Sequence, residues 1–131
     1  MHGVPQSITY FRRMFPFWHI VATEAIGQSG GGLVVLWDPN WIKARAFKCF
    51  AGILISTLFR GYDAPIKILN IYGPCKDRHP HWDKLFSFEL FDIDSLMIAG
   101  DLNITLNRDE VWGNGRRKDS LSHRIKNDMM R

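Results

Sequence analysis

The sequence predicts an α+β fold with a mixed or antiparallel sheet, and three observations carry that prediction. With 131 residues, 46% of them apolar, the chain is long enough to bury one core. Short β-branched runs, separated by Gly, Pro, Asn and Asp, recur from Trp18 to Pro74. One helical segment then intervenes before a last apolar run, Leu96-Met97-Ile98-Ala99. Strands, then a helix, then a strand is the order of a layered α+β domain rather than of regular β-α alternation.

In chain order, Gln6 to Phe15 sets Ile8, Phe11 and Phe15 at helical spacing, with Ser7 placed to cap the helix and Pro16 to stop it. Trp18 to Thr23 predicts a strand, Ile26 to Gly32 a turn, and Leu33 to Trp37 a second strand closed by Asp38-Pro39. Together they form a β-hairpin. Ala44 to Phe50 and Gly52 to Phe59 are two further strands, followed by a turn at Gly61 to Pro65. Ile66 to Tyr72 alternates as a strand and ends at Gly73-Pro74. From Arg78 to Phe91, residues Trp82, Leu85, Phe86 and Glu89 recur at helical spacing and predict a helix packed on a sheet. The run Leu96 to Ala99 reads as a buried strand.

Charge and cysteine usage exclude several classes. No apolar stretch approaches the ~18 to 20 residues of a membrane span. The first fifteen residues lack the apolar core of a secretory signal. The expectation is an intracellular protein, nuclear or cytoplasmic and not secreted, with no membrane partner. Cys49 and Cys75 have no metal-ligand spacing and read as free, buried or partly buried thiols. The net charge is +4, but the basic residues gather late: Arg116, Arg117, Lys118, Arg124, Lys126 and Arg131 against Asp119 and Asp128. Such a tail, from about residue 115, suits a polyanionic partner; a solvated or frayed terminus accounts for it as well.

Two strand ends carry the chemistry. The apolar run at residues 96–99 leads into Gly100-Asp101-Leu102-Asn103. This delivers a carboxylate and an amide, two residues apart, to the rim of a sheet. The Asp can take a proton or touch a metal, and the Asn can orient a water or a phosphate oxygen. The same tetrapeptide is also good turn chemistry. The second strand end is Asn70-Ile71-Tyr72-Gly73-Pro74. Here Tyr72 reads either as sheet filler or as a neutral phenol that donates to a phosphate oxygen. Ser29-Gly30-Gly31-Gly32 opens a β-branched run and lacks the Lys-Ser/Thr of a P-loop, so it reads as a hairpin turn.

Three stretches in order form a recognisable pattern: Ser29 to Pro39, Asn70 to Pro74, and Ile98 to Asn103, with Arg78, Trp82, Leu85 and Glu110-Val111-Trp112-Gly113. On these residues the chain resembles the endonuclease/exonuclease/phosphatase superfamily. It is most similar to the endonuclease domain of plant LINE-type retrotransposon (reverse-transcriptase) polyproteins. The resemblance spans about residues 5 to 120. It implies a four-layer α/β/β/α sandwich and Mg2+-dependent hydrolysis of phosphodiester bonds in DNA by an attacking water. It further implies that Asp101 orients or deprotonates the water and that Asn103 positions the water or a phosphate oxygen. Tyr72 would help hold the phosphate. Asp101 and Asn103 would be the metal positions, and Asn70 and Arg78 would bind substrate.

The chain departs from that family at both ends. The family's metal-binding Glu belongs to a strand preceding the first helix, and Glu24 reads as a surface residue instead. The late Asp and Asp-His pair have no counterpart on an apolar strand, since His123 lies in a polar, helix-like segment. His79 and His81 read as loop residues. The expectation is one incomplete domain over residues 1–131, a partial sandwich that self-associates through exposed sheet surface. As an inactive fragment of a nuclease it would be a non-catalytic remnant; the other reading is a basic nucleic-acid-binding module.

Overall fold

The computed structural model describes residues 4–24, 32–89, 93–111 and 118–129. The fold is mixed α+β, with two sheets and three α-helices among the described residues. The chain divides into two compact units. One comprises Met1–Tyr72 and Ser95–Asp101, the other Gly73–Asp94 and Leu102–Arg131.

The first unit holds the six strands of the described residues. Helix α1 spans Val4–Met14, two residues earlier at its start than the sequence suggests, so Ser7 lies inside it rather than capping it. It ends where Pro16 denies the next helical turn a backbone donor, and the Phe15 N–H makes its last bond, to the Phe11 carbonyl at 2.8 Å. Strands β1 (His19–Glu24) and β2 (Gly32–Trp37) pair antiparallel as the predicted hairpin. The glycine-rich turn joining them lies outside the described residues. His19 stacks on its register partner Trp37 with ring centroids 5.3 Å apart.

The second sheet has the order β3-β4-β5-β6, with β3 at Ile42–Cys49, β4 at Gly52–Phe59, β5 at Ile66–Tyr72 and β6 at Leu96–Asp101. The β3–β4 and β4–β5 pairs are antiparallel and the β5–β6 pair is parallel, so the sheet is mixed. The hairpin packs against β4 and β5. Ile53, Ile55 and Thr57 are buried on one face of β4, and Leu69 and Ile71 on the opposite face of β5. Thr57 offsets the cost of burying its hydroxyl by donating Oγ1 to the Ile66 carbonyl at 2.7 Å.

The sequence expectation is corrected at three places in this unit and at its flanks. The run Leu96–Ala99 is not a buried strand. It forms most of β6, which has a single neighbour among the described residues; Met97 and Ala99 are exposed, and Leu96 and Ile98 are half-buried. Cys49, at the end of edge strand β3, and Cys75, in the bend after β5, are free but exposed. Strand β3 starts two residues before the predicted Ala44, because Ile42 pairs with Phe59. Glu24 is exposed at the end of β1, as expected.

The second unit is helical. Helix α2 spans Arg78–Ser87, shorter than the predicted Arg78 to Phe91. Phe88 turns to extended backbone (ψ 137°) and closes the helix by donating its N–H to the Leu85 carbonyl. A 3-10 turn at Arg108–Glu110 precedes helix α3, Ser122–Met129. Trp82 and Leu85 of α2 are fully buried, as are Ile125 and Ser122 of α3 and Leu121 just before it. Three side-chain pairs, Arg78 with Asp119, His79 with Ser120 and Asp83 with Arg124, share a separation of 41 residues. A constant offset means that the two helices run side by side in the same direction. No helix among the described residues is long and apolar enough to cross a membrane.

Candidate functional site

In the first unit the two predicted strand ends lie next to each other. Strands β5 and β6 are adjacent and parallel, with Asn70 opposite Ala99 and Tyr72 opposite Asp101. Tyr72 and Asp101 are thus register partners at the carboxyl ends of two parallel strands, with Asn70 two residues earlier on β5. Asp101 is exposed, and Asn70 and Tyr72 are half-buried. Open sheets with parallel strands tend to bind ligands outside that end.

Gly100 makes this approach sterically allowed. Its φ is +120°, and a Cβ there would run into the Ile71 carbonyl oxygen and come to 3.1 Å from Asn70 Oδ1. The backbone itself therefore demands this glycine, and no ligand is needed to explain it.

In the second unit, Asn103 and Arg78 each have a structural partner. Asn103 adopts a left-handed conformation (φ +50°), which Asn tolerates better than most residues, and donates Nδ2 to the Gly73 carbonyl. A Cβ on Gly73 would meet the Leu102 carbonyl. The segments that follow β5 and β6 are thus closely pinned together. Arg78 donates Nη2 to Asp119 Oδ2 in an ion pair that leaves the aspartate side chain 9% exposed. Asp119 is the hub of this unit. It also accepts from the Thr105 N–H at 3.2 Å and from the Leu121 N–H at 3.0 Å, which secures the approach to α3. Burial alone would raise its pKa; donation from Leu121, Arg78 and Thr105 outweighs this and holds it below the ordinary 3.8.

The remaining candidates are also accounted for locally. His79 and His81 are not loop residues but lie in the first turn of α2, which the sequence reading starts at the same Arg78. His79 Nε2 and Ser120 Oγ are hydrogen-bonded at 2.8 Å. Burial and then Lys84 push the His81 pKa down. His123 is in α3, in keeping with its helix-like sequence. Glu110 accepts from the Leu106 N–H at 2.9 Å and from Asn107 at 3.0 Å, and these donors lower its pKa.

The described end of the basic tail is helical, with Arg124 paired to Asp83 and Asp128 and Lys126 bonded to Asn107. Arg116, Arg117, Trp112 and Gly113 lie outside the described residues. Three buried polar atoms, Arg78 Nε, Trp82 Nε1 and Ser122 Oγ, have no hydrogen-bond partner among the described residues.

Sequence reasoning missed Asp119 as the hub. A signal existed, because an Asp ahead of the Leu121/Ile125 helical spacing is a helix-start signature. Among the described residues, no three His, Cys, Asp or Glu side chains gather to hold a metal ion. No protein-family model matches the chain, and no curated protein matches it.

Proposed function

We propose that this chain carries one rim of a Mg2+-dependent phosphodiesterase site acting on DNA, of the endonuclease/exonuclease/phosphatase type and of retrotransposon lineage. The observation that carries the reading is the register pairing of Tyr72 with Asp101 at the ends of two adjacent parallel strands.

The donor set suits the ion in kind. Mg2+ takes oxygen ligands and is commonly held by one or two carboxylates, with water and phosphate oxygens completing its shell. Asp101, exposed at its strand end, and Asn103 are the residues that would hold it. Bound there, the ion supplies charge neutralisation to the phosphate. Asp101 orients the attacking water and takes its proton at the carboxylate. The Tyr72 phenol donates to a phosphate oxygen while staying neutral. By the resemblance, Asn103 would position the water or a second phosphate oxygen, and Asn70 and Arg78 would bind the substrate. Phosphoryl transfer asks mainly for positioning and charge placement, which such groups provide.

A second reading, a non-catalytic remnant, has its own support. Asn103 and Arg78 already have partners, in Gly73 and Asp119. A Mg2+-dependent nicking assay on supercoiled plasmid separates the two. The enzyme reading expects nicking that falls about 100-fold or more in Asp101→Ala. Absence of nicking at every Mg2+ concentration overturns it in favour of the remnant.

A further inference from the structure

The outer face of strand β3 carries a pattern that the phosphodiesterase reading does not use. The chain from Trp41 to Phe47 alternates, and its exposed members are Trp41, Lys43, Arg45 and Phe47. Trp41 is 61% exposed and Phe47 55%. Residues two apart in a strand lie ~7 Å from each other, so these four form an aromatic-cation-cation-aromatic row ~20 Å long. The cationic surface extends sideways across the sheet. Arg45 is opposite Ser56, and Ser56 is opposite Lys67, which brings three residues into one transverse row on this face. At the end of the row Arg60 lies over the Trp41 ring, 5.5 Å from its centroid, and its N–H donates to the Trp41 carbonyl at 2.8 Å. Between residues 41 and 67 there are five Lys or Arg and a single acid, Asp63.

Charge on an edge strand has an ordinary explanation, since lysines there discourage strand addition. That explanation covers Lys43 and Arg45 but not their neighbours. A large exposed aromatic at each end of the row works against solubility, and β3 is an edge of the sheet. Cations that track a backbone, interleaved with exposed rings on which bases stack, are instead the two components of single-strand binding.

We propose that this face of β3, with Trp41 and Arg60 at its end, binds single-stranded nucleic acid. Lys43, Arg45 and Lys67 contact phosphates, and Trp41 and Phe47 stack on bases. Affinity is independent of base sequence because every base presents a ring face. The proposal does not rest on the phosphodiesterase reading, since it uses none of the same residues.

The test is fluorescence anisotropy of a labelled oligothymidylate with the full chain, in chelator and without Mg2+, so that no nuclease activity enters the readout. The expected result is binding to the single strand in preference to a duplex of equal length, to phosphatidylserine vesicles and to poly-glutamate. Trp41→Ala and Phe47→Ala should each weaken binding about tenfold. Trp41→Phe should retain it. Lys43→Gln with Arg45→Gln should reduce the slope of log affinity against log salt by about 1.4. Far-UV circular dichroism melts identify any variant that has lost its fold, and the Gln variants, at exposed positions, then carry the test. Equal or tighter binding to duplex, vesicles or poly-glutamate overturns the proposal. So does single-strand binding that neither the aromatic nor the charge variants change.

Discussion

Gly100 and Asp101 are neighbours in the chain with different physical standing. Gly100 is demanded by its positive φ and by the Ile71 carbonyl beside it. Gly100→Ala should cost about 2 kcal/mol or more, read as a lower midpoint in urea denaturation. Asp101 is exposed at its strand end, and its backbone is not in the left-handed region, so no conformational demand of that kind selects its side chain. Asp119 is a third case. Its folded pKa lies below the unfolded one, so the stability it contributes is complete above the ordinary carboxylate range. That stability is lost as the pH falls through the folded value. Asp119→Ala should destabilise the chain by about 2 kcal/mol at neutral pH, since it removes an ionic acceptor from three donors. It should also flatten the loss of stability below pH 4, which melts in acid buffers would show. Ser122→Ala should be neutral or stabilising, because the buried hydroxyl has no partner among the described residues.

Strand β4 shows how far an element can be read from its sequence. Its ends, Gly52 and Phe59, match the sequence expectation because a β-branched run is bracketed by Gly on one side and Arg60-Gly61 on the other. Strand β5 is equally legible, since Ile66 to Tyr72 alternates and then meets Gly73-Pro74. The burial of these strands supplies the main apolar contribution to the first unit. Ile53→Ala, at a fully buried position, should cost about 3 kcal/mol in the same denaturation experiment. The fate of β6 was not legible. An apolar run suggests burial, but whether a strand is central or at an edge depends on how many strands pair with it, which its own residues do not record. The sequence expectation overruns helix α2 for a related reason. The spacing continues past Ser87, and only the backbone of Phe88 ends the helix.

At the scale of the molecule, apolar exposure is heavy. Phe17 is 84% exposed and Met97, on edge strand β6, is 56% exposed. An unpaired edge beside exposed apolar side chains favours association. The chain should therefore self-associate with rising concentration in sedimentation velocity, and Met97→Lys should reduce this. A monomer at all concentrations with a single sharp melt would count against it.

The sequence by itself determined the α+β class, the hairpin, strands β4 and β5, and the two strand-end motifs. These are local properties, written in side-chain period, β-branching and turn residues over stretches of fewer than about ten residues. Tertiary structure decided what lies beside what. It set Tyr72 opposite Asp101 and Gly100 opposite Ile71, and gave Arg78 to Asp119 and Asn103 to Gly73. Partners 29 to 41 residues apart meet because strand register and helix direction bring them together. No local pattern distinguishes a side chain held by such a partner from one presented to a ligand.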